Sequence, residues 1–189
     1  MGKKPLNEKQ IKTLRKITDS KPLHSLLLNL SVDLMLRASD LLKLKVSDVM
    51  NEDRTVKEFV QVKQKKTGKR TIQIPLSDNS KKVIHQHLSD RSFESHIFTG
   101  QKSHYTGKAI STNQYQRIVK GWMSEIGIED VSFYSTHSMR KTKASHLYSI
   151  TNNVEAVRRL LGHQSVTATS SYLGVEDEDA SELAKLHSI

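Results

Sequence analysis

Cysteine is absent from the sequence, which excludes disulfide bonds, catalytic thiolates and cysteine-ligated zinc sites and fits a reducing compartment. The chain also lacks an apolar run approaching the roughly 20 residues of a transmembrane helix. Its first ten residues have no apolar stretch of the kind that signal peptides carry. We therefore expect a cytoplasmic protein that does not enter a membrane.

Several motifs of cofactor and metal chemistry are missing as well. The eight glycines form neither a Walker sequence nor a dinucleotide fingerprint, so nucleotide cofactors have no support. No HExxH sequence is present to bind zinc, and no GxSxG nucleophile elbow is present for a serine hydrolase. We expect a protein without cofactor or metal.

Aromatic residues make up only 5% of the chain, whereas 30 Lys and Arg outnumber 20 Asp and Glu. The resulting net charge of +10 attracts polyanions. So few aromatic rings cannot provide a row of base-stacking platforms, which favours contacts to a duplex backbone over single strands. Double-stranded DNA is therefore the predicted partner, and we expect the protein to be associated with DNA in the cell.

The charge is unevenly distributed along the chain. Residues 176–189 contain five acids and a single Lys, so the preceding residues are more basic than the total implies. The length suits one ordinary domain, and no linker rich in Pro or Gly divides it. We expect a compact domain over residues 1–175 and an acidic C-terminal segment over residues 176–189.

Hydrophobic spacing predicts a mainly helical fold. The predicted helices cover residues 7–19, 23–36, 39–44, 77–88, 111–127, 137–148, 154–161, 167–172 and 180–187. Residues 59–63 and 71–75 instead alternate as strands, with a Lys-Thr-Gly-Lys turn between them that predicts a hairpin. The expected fold class is α+β, mainly α-helical with a small antiparallel sheet.

The predicted hairpin is strongly basic. It carries Lys63, Lys65, Lys66, Lys69 and Arg70 without an acid among them. Taken alone, such a run favours a solvated hairpin tip. The functional alternative is a surface that contacts DNA phosphates.

Four segments, one of which is the turn of this hairpin, form a pattern of cationic residues that ends in a tyrosine. They are LMLRASDLL around Arg37, QKKTGKRT around Lys66, STHSMRKT around His137 and Arg140, and LLGHQSVTATSSYL around His163 and Tyr172. Together they resemble the tyrosine recombinase (phage integrase) family, whose site combines an Arg, a hairpin Lys, His-x-x-Arg, Leu-Gly-His and a Tyr nine residues later. The segments occur here in the family's order and cover nearly the whole chain.

The resemblance implies the tyrosine recombinase catalytic-domain fold and a site-specific DNA recombinase or integrase. Such an enzyme cleaves and rejoins duplex DNA through a covalent 3′-phosphotyrosyl intermediate, without metal or ATP. The implied catalytic residues are Arg37, Lys66, His137, Arg140, His163 and Tyr172. Tyr172 would be the nucleophile and Lys66 the general acid that protonates the departing 5′ oxygen.

Other positions gain a role from the same resemblance. Asp40 lies three residues after Arg37, where the family usually has an acid, and is expected to hold the Arg37 guanidinium. Lys141 stands where many relatives have a second His. The expected DNA-binding residues are Lys63, Lys65, Lys69, Arg70 and Lys141.

The chemistry explains why these residue types belong together. A phenol with a pKa near ~10 is ionised in only about one molecule in a thousand at neutral pH, so reaching phenolate costs about 4 kcal/mol. Attack on a phosphodiester adds negative charge to the non-bridging oxygens, where preorganised cations act best. Two Arg guanidiniums can bind these oxygens bidentately, and His137 and His163 can donate hydrogen bonds or carry the nucleophile's proton.

Each residue taken alone has an ordinary structural alternative. Arg37 could cap the preceding helix, and His137 and Arg140 could be surface residues. Gly162 suits a helix end, and Tyr172 suits core packing.

Alternatives also remain for the acid and for the activity. Lys65 and Lys69 compete with Lys66 for the role of general acid. The scaffold could instead be a non-catalytic DNA-binding regulatory module, or it could relax supercoils as type IB topoisomerases do.

Assembly is a further expectation from the resemblance. Family members usually carry an N-terminal core-binding domain, so a catalytic domain alone should bind DNA weakly and with strong salt dependence. We expect a homo-oligomer on DNA, a tetramer in the recombining complex, with DNA-bending helper proteins as further partners. In the family the C-terminal segment docks on a neighbouring protomer. Docking in cis and in trans remain equally open for residues 176–189.

Overall fold

The structure is a computed structural model that describes residues 3–100 and 107–174 together with Lys185. Its helices are α1 (Glu8–Thr18), α2 (Pro22–Leu34), α3 (Ala38–Leu41), α4 (Val46–Val49), α5 (Asp78–Leu88), α6 (Thr112–Glu125), α7 (Thr136–Thr151), α8 (Val154–Leu161) and α9 (Val166–Leu173). Its two strands are β1 (Phe59–Val60) and β2 (Ile74–Pro75). The predicted α+β class with a small antiparallel sheet is confirmed.

Helix α2 forms the centre of the fold. Its residues from Ser25 to Leu34 are all buried, and the helix packs against α1, α5 and α7. Met35 adopts a left-handed conformation with φ 49° and ends the helix, two residues earlier than hydrophobic spacing predicts. This reversal of the chain places Arg37 at the start of α3, where it is the N-cap residue.

Local capping signals explain most of the helix starts. Asn7 and Gln10 form a reciprocal capping box at α1, and Ser77 and Ser111 cap α5 and α6 through their hydroxyls. Side-chain oxygens at these positions satisfy amide groups that have no partner within the helix. The predicted beginnings of these three helices are confirmed. The short helix α4 was not predicted, since four residues are too few to show helical spacing.

The predicted hairpin is present, but its ladder is shorter than expected. Val60 pairs with Ile74, and an isolated bridge joins Lys63 to Arg70. Between these pairs, the Val62 amide donates a hydrogen bond to the Thr71 hydroxyl, and the Gln61 side chain donates one to the Thr71 carbonyl. The Thr71 amide also donates to the Val62 carbonyl at 2.9 Å, so side chains complete a partial main-chain ladder in the middle of the hairpin.

Apolar side chains form two separate clusters. The main core includes Leu14, Leu27, Phe98 and Trp122 and is built largely from α1, α2, α5 and α6. The small core consists of Met35, Ala144, Val157 and Leu161, with Leu147, Tyr148, Leu160, Tyr172 and Leu173 packed half-buried against it. Helix α7 contributes to both clusters, and α8 and α9 depend on the small core.

Two predictions, the C-terminal helix and the absence of a membrane span, can be compared with the described residues only. The helix expected over residues 180–187 lies outside the described residues, except for Lys185. Within the part that the structure describes, no helix is long and apolar enough to cross a membrane.

Candidate active site

Arg140 lies at the centre of the site. It belongs to the second turn of α7, whose N-terminus is fixed by a Ser135 capping box, and it is only 3% exposed. Its Nη2 donates to the Leu161 carbonyl at 2.7 Å, while Nε and Nη1 have no hydrogen-bond partner among the described residues. Burial lowers the pKa of Arg140 to about 10, so the guanidinium stays charged at neutral pH with unused donors.

Arg37 reaches the same region from the start of α3. Its Nη1 donates to the side-chain oxygen of Gln64 at 3.2 Å. Asp40 was expected to hold this guanidinium, but its Oδ1 instead accepts the Lys65 amide at 2.8 Å. The short helix α3 turns the buried Asp40 carboxylate toward the hairpin, so that the acid ties the hairpin to α3.

The basic hairpin residues lie at the edge of the site. Lys63, Lys65, Lys66, Lys69 and Arg70 are all exposed. Lys66 is nevertheless near enough that its charge helps to lower the pKa of His163, after burial and the charges of Arg140 and Arg37. The hairpin therefore brings a cation toward the site without burying it.

His163 follows Gly162, which ends α8 in a left-handed conformation with φ 65°. Its Nδ1 lies 3.2 Å from the Thr169 hydroxyl, and that hydroxyl donates its own proton to the Ser165 carbonyl at 3.1 Å. Because a hydroxyl has a single proton, Thr169 must accept from Nδ1–H, which leaves Nε2 unprotonated in the neutral ring. Burial, followed by the nearby cations, lowers the pKa of His163 to about 4.

Tyr172 is carried by α9 and packs edge-on against His163, with ring centroids 5.2 Å apart. Its hydroxyl donates to the His137 carbonyl at 3.4 Å. Burial raises the pKa of Tyr172, while the charges of Arg140 and Arg37 act in the opposite direction. The phenol is therefore held neutral in a setting where two cations favour its ionised form.

Two more predicted residues border the Tyr172 ring. The Lys141 ammonium lies 5.9 Å from the ring centroid. His137 is exposed as a whole residue in the first turn of α7. Partial burial of its ring, followed by the charges of Arg140 and Arg37, lowers its pKa. Its main-chain carbonyl, rather than its ring, makes the contact with Tyr172.

The fold thus brings most of the predicted set together from four separate stretches of chain. Arg37, His137, Arg140, His163 and Tyr172 share one region, Lys66 stands at its edge, and Lys63, Lys65, Lys69 and Arg70 lie on the adjoining surface. A cleft of about 410 Å³ opens between the hairpin and the α8–α9 junction, with Lys69, Arg70, Gly162 and His163 among its lining residues.

Sequence reasoning missed three parts of the site. They are the Gln64 amide, the Thr169 hydroxyl and the Leu161 carbonyl. Gln64 lies in a run of exposed cations, so no periodic pattern marks it as buried, and a main-chain carbonyl has no signature in the sequence. Thr169 lies six residues after His163, a spacing that could have suggested contact across the α8–α9 turn.

The sequence was compared with models of known protein families. The model of the phage integrase family matches residues 4–179. The chain belongs to the phage integrase family. The predicted resemblance is confirmed, and with it the expectation of a DNA recombinase at the level of the family.

Relatives by sequence bear similar names. The probable integrase/recombinase YoeC of Bacillus subtilis (strain 168) is 31% identical over 149 residues, which is 79% of this chain and 75% of that protein. The tyrosine recombinase XerC of Neisseria gonorrhoeae is 31% identical over 87 residues, which is 46% of this chain but 27% of XerC. The matched part of this integrase-family chain thus spans about a quarter of XerC.

Solved structures share the fold. The crystal structure of XerA recombinase superposes with a TM-score of 0.76 at 19% identity and covers 100% of this chain and 66% of that one. The XerH recombinase bound to its difH substrate after cleavage gives a TM-score of 0.70 at 19% identity, over 97% of this chain and 53% of XerH. At these identities the likeness concerns the fold, which is the catalytic-domain fold expected from the sequence.

Proposed function

We propose that this chain cleaves and rejoins duplex DNA in site-specific recombination, with the Tyr172 hydroxyl as nucleophile. The observation that carries the proposal is the position of Tyr172, a neutral phenol beside His163 and within the field of two buried or half-buried arginines. Ordinary core tyrosines are not surrounded by guanidinium and imidazole groups. Such a surrounding lowers the cost of ionising a phenol at the moment of attack.

The two arginines would bind the phosphate. Arg140 holds buried N–H groups without a partner among the described residues, and a buried charge of this kind is costly until an anion compensates it. Arg37 offers a second guanidinium from the start of α3. Forked donors match the paired non-bridging oxygens of a phosphodiester, whose charge grows in the transition state. Because the Arg140 donors are buried, an anion reaches them only when residues packed over the guanidinium move aside. Since α8 and α9 pack against α7, we expect these helices to move while α7 holds the guanidinium in place.

His163 would accept the proton of the nucleophile. Its Nδ1–H is committed to Thr169, so Nε2 is the free acceptor, and a pKa of about 4 keeps the ring neutral at pH 7. A general base is most effective when its pKa lies near the working pH, and the negative charge of a bound phosphate would raise the pKa of His163 toward that range.

The bond changes balance without an external energy source. The Tyr172 oxygen bonds to phosphorus, the bond from phosphorus to the 5′ oxygen breaks, and Lys66 donates a proton to that oxygen. The 3′-phosphotyrosyl ester retains a reactive phosphoester bond. A free 5′-hydroxyl can therefore reverse the step and rejoin a strand.

Duplex DNA is the proposed partner because exposed cations of the hairpin, Lys63, Lys65, Lys69 and Arg70, border the site. XerH was solved bound to its difH substrate, and a lambda integrase dimer was solved bound to a core site.

We further propose a tetramer in the recombining complex, since exchange between two duplexes breaks four strands and each protomer supplies one Tyr172. DNA-bending helper proteins would aid assembly where the hairpin cations alone bind too weakly.

Covalent capture tests this function. The wild-type chain is mixed with nicked duplexes whose central sequence is randomised, so that the short strand beyond the cleaved bond diffuses away and traps the adduct. We expect protein-linked DNA on a denaturing gel, and sequencing of the linked strands to reveal a preferred site.

The controls are Tyr172→Phe and Tyr148→Phe, because Tyr148 packs half-buried in the same small core. The adduct should disappear only with Tyr172→Phe. Binding without any adduct would favour a non-catalytic module, and relaxation of supercoils without sequence preference would favour a topoisomerase. Either result would overturn the proposed recombinase.

A further inference from the structure

Gln64 is the buried residue of an otherwise accessible basic turn. Its side chain is only 3% exposed, whereas Lys63, Lys65 and Lys66 on either side of it are exposed. A buried amide is costly unless both its oxygen and its nitrogen find partners. The partners of Gln64 therefore indicate what the side chain does.

The amide contacts three different parts of the site. Its oxygen accepts from Arg37 Nη1 at 3.2 Å and from the Thr67 hydroxyl at 3.0 Å. Its nitrogen donates to the Leu161 carbonyl at 3.4 Å, the same carbonyl that accepts from Arg140 at 2.7 Å. Only a side chain with both an acceptor and a donor at its end can serve a cation and a carbonyl together.

The contact with the α8–α9 junction is close. A Cβ atom on Gly162 would lie 2.6 Å from the Gln64 nitrogen. Gly162 therefore ends α8 and also leaves the space that the Gln64 amide occupies. This packing holds the hairpin against the residue directly before His163.

The main chain of Gln64 closes the turn that carries Lys66. Its amide donates to the Lys69 carbonyl, and its carbonyl accepts the Gly68 amide, both at 2.9 Å. A shift of Gln64 would therefore move the whole turn. Lys66, which has no hydrogen bond from its side chain among the described residues, takes its position from the turn.

We propose that Gln64 is a positioning residue for the reaction, which fixes the Lys66 turn against Arg37 and the Leu161 carbonyl. The proposal rests on the proposed function. Gln64 acts through Lys66 and does not touch the reacting atoms. Without its amide, the turn keeps the tie between Asp40 and the Lys65 main chain but loses its contacts with Arg37 and with the Leu161 carbonyl. Lys66 is then no longer held facing the departing 5′ oxygen.

A first experiment needs no DNA. Trypsin cuts after Lys and Arg, so cleavage within residues 65–70 reports how firmly the turn is held. Gln64→Met keeps an unbranched side chain but removes all three polar contacts. Gln73→Met is the matched control because Gln73 is exposed on the same hairpin. We expect faster cleavage of the turn for Gln64→Met only. Equal rates for wild type and Gln64→Met would overturn the proposal.

A backup variant covers the case in which Gln64→Met does not fold. Gln64→Glu keeps the shape and the acceptor for Arg37 but loses the donor to the Leu161 carbonyl. We expect it, too, to expose the turn to trypsin. A Gln64→Glu turn as resistant as that of wild type would contradict a positioning role for the amide.

A second experiment links the turn to catalysis. Single-turnover cleavage is measured on a duplex recovered in the covalent capture, with either oxygen or sulfur at the 5′ bridging position. A thiol is far more acidic than an alcohol, with a pKa of about 8.5 for cysteine, so a sulfur leaving group departs without a general acid. We expect Gln64→Met to slow cleavage of the oxygen substrate about 10- to 100-fold, less than the roughly 10²- to 10⁴-fold contribution of a general acid, because Lys66 itself is still present.

With the sulfur substrate, the cleavage rate of Gln64→Met should return to near that of wild type. The affinity for DNA should stay within a few-fold of wild type. A loss that sulfur does not restore, or an equal loss for Gln73→Met, would overturn the proposal. If wild type itself forms no adduct while Gln64→Met still exposes the turn to trypsin, the recombinase function fails and the anchoring of the turn stands.

Discussion

The two sides of the site rest on cores of very different size. Arg37 and Arg140 belong to α3 and α7, which adjoin the main core. His163 lies in the turn between α8 and α9, and Tyr172 belongs to α9. Both helices pack on the small core and its four buried side chains. Few buried apolar contacts mean a low free energy of local opening. We therefore expect the phosphate-binding side to be the more rigid one and the side with the nucleophile to open at a lower free energy.

Such a division suits a reaction that depends on assembly. Arginines that bind phosphate act best when they are preorganised. A nucleophile on a weakly held helix can instead be engaged or withdrawn at small cost. Besides the small core, the His137 carbonyl and the His163 ring contact the phenol.

The largest expected effect comes from the rigid side. Arg140→Lys keeps the positive charge but cannot present forked N–H groups to phosphate oxygens. We expect single-turnover cleavage of the captured duplex to fall about 10²- to 10³-fold, as for loss of one preorganised donor, with DNA binding changed only a few-fold. Arg117→Lys on the exposed face of α6 is the control. Cleavage within a few-fold of wild type would remove Arg140 from the mechanism.

A pair of leucine substitutions tests the difference between the cores directly. Leu27 and Leu161 are both fully buried, and each is replaced by Ala. We expect Leu27→Ala to lower the global free energy of unfolding by about 2–5 kcal/mol, measured by urea denaturation. Leu161→Ala should lower it less, but should accelerate amide hydrogen exchange throughout α8 and α9.

The same Leu161→Ala variant should also cleave DNA more slowly than its stability alone predicts. Its main-chain carbonyl remains available to Arg140 and Gln64, so only apolar packing is lost. Equal global destabilisation by the two substitutions, with uniform hydrogen exchange, would show that the two cores unfold as one unit.

The smallest effect concerns pH. The pKa of His163 is about 4 in the folded chain and about 6.5 in an unfolded one. The unfolded state therefore binds more protons between these values, and stability falls as pH drops from about 6.5 towards 4. His163→Gln should flatten this part of the profile in urea melts at a series of pH values. The exposed His85 provides a control, and a His85→Gln profile equally flattened would contradict the assignment.

Much of the fold follows from short-range patterns. The helix that starts after Asn7 is predicted from its cap and from Ile11 and Leu14, because such signals act within a few residues. The hairpin is predicted from alternation and its turn, although its ladder is shorter because Thr71 and Gln61 bond across it. The end of α2 could not be placed, because the left-handed Met35 has none of the glycine signature that usually marks such a position.

The site divides in a similar way. The spacing of His137 and Arg140 within one helix, and of His163 and Tyr172 across one turn, is local and can be read along the chain. The partner of Asp40 could not be predicted, because the choice between Arg37 and the Lys65 amide depends on how the hairpin meets α3.

The sequence by itself determined which groups are available: two arginines, two histidines, a hairpin of lysines and one tyrosine at family spacing, on a basic chain without cysteine. The tertiary structure alone decided how these groups are held, through the Leu161 carbonyl, the Gln64 amide and the division into two cores. The physical reason is the distance along the chain over which each kind of interaction acts. Charge and capping act through neighbours along the chain, whereas burial and the sharing of one carbonyl by two distant donors exist only after the chain has folded.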